Sequence, residues 1–115
     1  MTEETKKFFE KFKDHTIKMK DQIPDAVHGF SGLFTKVMKD GALSSKEKEL
    51  IALGIGVTQR CGPCIRLHVQ KSLDAGATKE QVLEAASVAV MMGGGPAYTH
   101  IPVVMETLEA LEETS

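Results

Sequence analysis

Cys61-Gly62-Pro63-Cys64-Ile65-Arg66-Leu67-His68-Val69-Gln70-Lys71-Ser72-Leu73-Asp74-Ala75-Gly76 is the stretch that decides the fold. Pro63 suits the first turn of a helix, where a missing N–H breaks no internal bond, and Gly76 suits the residue just past its end. The spacing therefore predicts a helix over residues 61–75, opened by the only two cysteines of the chain. Two residues apart, their sulfurs can join within a single turn. A helix N-terminus offers unpaired N–H groups and a partial positive charge, which favour a thiolate. His68 follows Cys64 by one helical turn and can reach the same sulfur, either as an imidazolium that stabilises the thiolate or as a base that takes its proton. A chain that places its whole thiol supply beside one imidazole points to thiol chemistry.

The rest of the chain reads as helix too. A first helix is expected over residues 1–22, with Phe8, Phe9 and Phe12 as an aromatic edge and Ile17 beyond. Pro24 opens a second, along which Ala26, Val27, Phe30, Leu33, Phe34, Val37 and Met38 recur at three- and four-residue spacing until Asp40-Gly41. Ser44 with Glu47 forms a capping box before a third helix, and Thr78 with Gln81 another before a fifth. Gly93-Gly94-Gly95-Pro96 breaks the fifth, and a last helix runs to about Glu113, with a kink or interruption expected at Pro102. There is no strand alternation, repeat or linker. The expectation is one all-α domain over residues 1–115, compact, of about six helices.

Glu49 stands twelve residues before Cys61, on the third helix. A turn near Gln59-Arg60 folds that helix back on the next and brings Glu49 toward His68, where a buried carboxylate finds the partner it needs. Spacing alone leaves a solvent-facing glutamate as the alternative. The third and fifth helices are apolar nearly all round, with Gly54 and Gly56 allowing close approach. Either a second subunit covers them, which predicts a homo-oligomer, or both lie central in one chain.

Composition excludes several classes. Of 115 residues 42% are hydrophobic and 26% charged, and the net charge is −2, so nothing draws the chain to nucleic acid or to an anionic membrane surface. Lysines crowd the first helix but acids interleave with them, a solvated face. The start carries no apolar signal region, and the apolar runs at 50–57 and 85–92 are far shorter than a membrane span. A cytoplasmic, soluble protein is expected. There a CxxC pair is redox-active or metal-binding more often than structural.

Glu49, then Cys61-Gly62-Pro63-Cys64, then His68, resembles the signature of the AhpD-like branch of the carboxymuconolactone decarboxylase superfamily. The flanking Ser44-Ser45-Lys46-Glu47-Lys48-Glu49-Leu50-Ile51-Ala52-Leu53, the helix from His68 through Gly76 to Val82, and the Met91-Met92-Gly93-Gly94-Gly95-Pro96 break are similar as well, so the likeness covers about Phe30 to Leu111. The resemblance implies an all-helical oligomer, a trimer or hexamer, acting as a thiol peroxidase or disulfide reductase. It implies Cys64 as the attacking thiol, Cys61 as the resolving thiol, and His68 and Glu49 as a proton relay. It implies no cofactor or metal, a hydroperoxide or disulfide substrate, and a lipoyl or thioredoxin-like dithiol donor. Decarboxylases of the superfamily generally lack the CxxC, which points away from lactone decarboxylation. The best-known peroxidases carry a histidine between the cysteines, where this chain has Gly62-Pro63.

Three other readings compete. Cys-Gly-Pro-Cys is also the thioredoxin tetrapeptide, but no Trp precedes Cys61, no strands flank it, and only thirteen residues follow Pro102. Cys61, Cys64, His68 and Glu49 are candidate zinc ligands, though structural zinc sites favour two separated pairs and rarely use Glu. A helical partner-binding protein would account for the apolar surplus and leave the Cys–His spacing unexplained. His100, Tyr98, His15, His28 and Arg66 are weaker candidates; Arg66 points away from the thiols by spacing, toward a subunit or an anionic substrate.

Overall fold

The computed structural model describes residues 2–114; Met1 and Ser115, the ends of the expected domain, lie outside them. Seven helices follow one another: α1 (Thr2–Gln22), α2 (Pro24–Met38), α3 (Ser45–Thr58), α4 (Gly62–Asp74), α5 (Lys79–Gly93), the single turn α6 (Gly95–Tyr98) and α7 (Ile101–Thr114). No strand occurs among the described residues.

Local chemistry sets the boundaries. Both expected capping boxes are formed: the Ser44 hydroxyl accepts from the Glu47 N–H while the Glu47 carboxylate accepts from the Ser44 N–H, and Thr78 and Gln81 repeat the exchange. Pro24 occupies the first turn of α2. At the far end, Lys48 donates to the Val37 and Lys39 carbonyls at 2.8 and 2.7 Å, a cation closing the negative end of that helix. Pro102 does not kink a helix. It sits in the first turn of α7, where no internal N–H bond is lost, and the interruption falls earlier, at Gly94 (φ 67°) and Thr99-His100.

α3 packs against both α4 and α5, and α7 lies against α4. One contiguous core results: Leu53 and Val57 from α3, Ile65 and Val69 from α4, Val82, Ala86 and Ala89 from α5, Ala97, and Val104 and Leu108 from α7. α1 rests on α7, clasped by a Lys6–Glu113 ion pair at 2.9 Å, and buries only Thr5. The apolar surplus of α3 and α5 divides in two. One face is core; the other leaves Ile51, Ile55, Val88, Met91 and Met92 half or more exposed. α2 buries no residue at all. Among the described residues no helix is long and apolar enough to cross a membrane.

Candidate active site

The site grows out of the end of α3. The Cys61 N–H donates to the Gly56 carbonyl at 3.0 Å and the Arg60 N–H to the Val57 carbonyl at 3.0 Å, the bond pair of a Schellman motif. Its left-handed position is filled by Arg60, φ 56°, the only non-glycine with positive φ among the described residues. The residue that closes the motif is Cys61, which is also the N-cap of α4, its sulfur accepting the Cys64 N–H at 3.2 Å. One six-residue turn, Gly56 to Cys61, thus ends α3, starts α4 and fixes the first cysteine. With Pro63 in the first turn, as the sequence predicts, Cys61 and Cys64 are joined by a disulfide, their Cα atoms 5.2 Å apart. Both residues are half-buried at the positive end of α4.

α3 and α4 approach closely at this point because Gly56 has no side chain. A Cβ there would stand 3.2 Å from the Cys64 Cβ. That approach sets the register in which Glu49, two turns back along α3, meets His68 on α4. Glu49 Oε1 and His68 Nδ1 are 2.7 Å apart. Glu49 is a buried carboxylate, its side chain 8% exposed, and the imidazole is its hydrogen-bond partner. A carboxylate only accepts, so Nδ1–H donates to it, which leaves Nε2 as the nitrogen that can accept a proton. His68 follows the half-buried Cys64 by one turn. Glu49 is therefore not the solvent-facing residue that its neighbours Glu47 and Lys48 leave open in the sequence.

Three further side chains belong to the neighbourhood. Phe34 of α2 stacks on the His68 ring, centroids 6.4 Å apart and planes 26° from parallel. The Lys71 ammonium lies 4.7 Å from the centre of the same phenyl ring. Phe34, Met38, Lys71 and Glu49 line a cleft of about 420 Å³. Arg66, set aside by its spacing, lies under the Phe8 ring at 5.4 Å, its Nε buried without a hydrogen-bond partner. Phe34 and Lys71 left no signal beyond membership of an amphipathic stripe and a helix, because their pairing is made by tertiary packing. Among the other histidines, His100 gives its Nδ1–H to the Pro96 carbonyl at 2.8 Å, and His15 and His28 are exposed.

In this oxidised form the two sulfurs offer no thiolate to a metal. No group of three or more His, Cys, Asp or Glu converges as ligands among the described residues. The chemistry that the arrangement can perform is exchange at a disulfide, with a carboxylate-oriented imidazole to hold or release a proton.

Comparison with known proteins agrees with this geometry. The chain superimposes on a carboxymuconolactone decarboxylase family protein from Legionella pneumophila with a TM-score of 0.83 and 37% identity, covering 96% of each chain. It superimposes on a Thermotoga maritima protein of that family, described as a candidate for an antioxidative response, with a TM-score of 0.80 and 31% identity over 93% of this chain and 91% of the other. A more distant relative is the alkyl hydroperoxide reductase AhpD of Corynebacterium kroppenstedtii, 30% identical over 63 residues, 55% of this chain and 36% of that one. The family model described as Carboxymuconolactone decarboxylase family matches residues 24–106, from the start of α2 into α7. With most of its length matched by that model and its fold shared with these structures, the chain belongs to the carboxymuconolactone decarboxylase family.

Proposed function

We propose that the protein is an AhpD-like thiol oxidoreductase that reduces hydroperoxides or disulfides. The observation that carries this reading is the Cys61–Cys64 disulfide at the N-terminus of α4, one turn before an imidazole hydrogen-bonded to a buried carboxylate. The relation to an alkyl hydroperoxide reductase supports it.

The cycle starts from the reduced pair. The Cys64 thiolate attacks the terminal oxygen of ROOH, the O–O bond breaks, and ROH leaves with a proton supplied through His68 Nε2; Cys64 is now a sulfenic acid. The Cys61 thiol then gives its proton to His68 Nε2 and its sulfur attacks the Cys64 sulfur; the S–S bond forms, the S–O bond breaks, and the hydroxyl leaves with that proton as water. With a disulfide substrate the same attack gives a mixed disulfide, and Cys61 resolves it, releasing the second thiol. In both cases two electrons leave the cysteines, and an external dithiol, lipoyl or thioredoxin-like, returns them with two protons. Glu49 holds His68 in the tautomer that presents Nε2. The working form is a homo-oligomer, a reading supported by the bare apolar faces of α2, α3 and α5.

The deciding experiment measures consumption of organic hydroperoxides, hydrogen peroxide and small disulfides with lipoyl, thioredoxin or dithiol donors. The wild type is expected to turn over at least one donor–acceptor pair, and Cys64→Ser none. No turnover with any pair, or turnover that persists in Cys64→Ser, overturns the reading. The ratio of peroxide to disulfide activity reports what Gly62-Pro63 does where related peroxidases carry a histidine.

A further inference from the structure

Three residues of α4 share one face. His68 follows Cys64 by four positions and Lys71 follows His68 by three, so the side chains of all three project from the same side of the helix. Cys64 and Lys71 stand about 10 Å apart along the axis. The cycle above uses Cys64 and His68 and leaves Lys71 without a task.

Lys71 is nonetheless held in place. Its ammonium lies 4.7 Å from the centre of the Phe34 ring, the ring that also stacks on His68. The negative face of a phenyl ring attracts a cation. The lysine is half-buried, and among the described residues no carboxylate pairs with it. Asp74, one turn on, is exposed and outside ion-pair distance. Glu49 gives its Oε1 to His68 Nδ1–H at 2.7 Å. An ordered lysine gives up more rotamer freedom than most residues, and here the counter-charge that would offset that loss is missing.

The cleft of about 420 Å³ opens beside this ammonium. Phe34 and Met38 supply an apolar wall, Lys71 a cationic one, and the cleft reaches Glu49, whose bond to His68 ties it to the thiol site. A molecule with an apolar body and an anionic end meets both walls. The neighbouring cations are otherwise engaged or placed: Lys48 donates to two carbonyls of α2, and Arg66, two residues past Cys64 and nearly opposite it on the helix, lies against Phe8. Glu49 and Asp74 line the same cleft and repel added negative charge, which favours one carboxylate over a doubly charged phosphate.

We propose that Lys71 anchors the substrate, and that the substrate class is a hydroperoxide or disulfide with a carboxylate about 10 Å from its reacting atom, the span from Lys71 to Cys64. Lys71 is then the specificity-determining residue of the site. The substrate class rests on the thiol function proposed above; the anion anchor does not.

Alkylation tests the anchor without turnover. In the chain carrying Cys61→Ser, Cys64 is the one remaining thiol. Its reaction is timed with maleimidohexanoic acid and with the amide of that acid, and the ratio of the two rates cancels any change in the thiol itself. Lys71→Met should lower that ratio about two- to fivefold, the size of a solvent-facing ion pair, Lys71→Glu should lower it further, and Lys71→Arg should keep it. With maleimidoacetic acid and its amide, where the carboxylate sits too close to the reacting carbon, the ratio should not depend on Lys71. A hexanoic ratio that is the same in Lys71→Met overturns the proposal. So does an equal fall for the acetic pair, which would make Lys71 a source of general field and not an anchor. Circular dichroism checks folding, and Lys71→Gln replaces Lys71→Met if helicity falls. Turnover then tests the substrate class, with hydroperoxyhexanoic acid, or the symmetrical disulfide of mercaptohexanoic acid, each against its methyl ester. Lys71→Met should cut kcat/KM for the acid about two- to fivefold more than for the ester. An equal cut for both overturns the substrate class. Maleimide ratios as expected, with no turnover of any substrate, overturn the thiol function and leave the anchor standing.

Discussion

At the scale of single residues, the Glu49–His68 bond makes a sharp prediction. If Glu49 works only by orienting the imidazole, it has nothing to act on once His68 is gone. His68→Ala should slow Cys64 alkylation or peroxide reaction by about 10²–10⁴-fold, the usual range for a positioned acid or base. Glu49→Gln should slow it less, and the double variant should be little worse than His68→Ala alone, the non-additivity of groups acting as one unit. Additive losses would separate the two residues. Gly56 makes a second. A methyl placed 3.2 Å from the Cys64 Cβ must push α4 away from α3 by a few tenths of an ångström, in a part of the molecule where Val57 and Ile65 are fully buried. Gly56→Ala should cost roughly 1–3 kcal/mol in urea unfolding, the range for overpacking a filled core. It should also lengthen the Glu49–His68 bond, read as a changed pH profile of Cys64 reactivity. Much of this site was legible in the sequence, because Cys61, Cys64 and His68 are related by local helix geometry. Glu49 was legible only as one of two alternatives, since the burial that separates them is a tertiary fact. Phe34, Lys71 and the Phe8–Arg66 contact were not legible, because each is made between helices whose relative rotation no local pattern fixes.

At the scale of elements, the ends of the helices carry the specificity. α3 and α4 both end in Schellman turns. Gly76 takes the left-handed position after α4 with φ 99°, and Arg60 takes it after α3 with φ 56°. A side chain in that conformation costs about 1–2 kcal/mol, part of which glycine recovers against its greater freedom when unfolded. Arg60→Gly should therefore leave stability unchanged or raise it by up to about 1 kcal/mol, whereas Gly76→Ala should lower it by about 1 kcal/mol, both read from denaturant midpoints at constant slope. A lower stability for Arg60→Gly would mean that the arginine side chain itself holds the turn. The ends of α1 and α7 give a pH prediction. Lys6, hydrogen-bonded to Glu113, holds the Glu113 carboxyl below the ordinary carboxylate range, and Glu113 holds the Lys6 ammonium above its ordinary value. The acid's contribution is present above its unfolded value and is lost as pH falls through its lowered one. The lysine's is present below its unfolded value and is lost as pH rises through its raised one. The clasp is thus complete near neutrality and opens at both extremes. Amide exchange in α1 should speed up there more in the wild type than in Glu113→Gln, where the clasp is already gone. Capping boxes, Pro24 and Gly76 made these boundaries readable from sequence. Pro102 misled because a proline inside an apolar run reads as a kink, while His100, whose ring is committed to the Pro96 carbonyl, ends the preceding turn before the proline is reached.

At the scale of the whole molecule, a redox cycle demands that the fold survive loss of its only disulfide. The structure is built for that. The core draws on α3, α4, α5, α6 and α7, and neither cysteine is part of it. Both capping boxes and the Schellman turn of α3 are made by backbone, hydroxyl, carboxylate and carboxamide groups, not by the S–S bond. The bond closes a loop of only four residues, Cys61 to Cys64, so the unfolded chain it restrains is restrained little. By the chain-entropy relation a loop that short contributes about 2 kcal/mol, against roughly 3 kcal/mol for a fifteen-residue loop. Reduction should therefore lower the thermal midpoint by no more than about 8 °C for a domain of this size and leave the far-ultraviolet circular dichroism unchanged at 25 °C. Cys61→Ser with Cys64→Ser should behave as the reduced protein does, which separates loss of the bond from any effect of the reductant. The expected exception is local: the Cys64 N–H loses the sulfur acceptor fixed by the bond, so amide exchange should quicken in the first turn of α4 and not in Val69 or Leu53. If reduction instead melts α4 as a whole, the disulfide is a structural staple, and a catalytic cycle that opens it on every turn is ruled out.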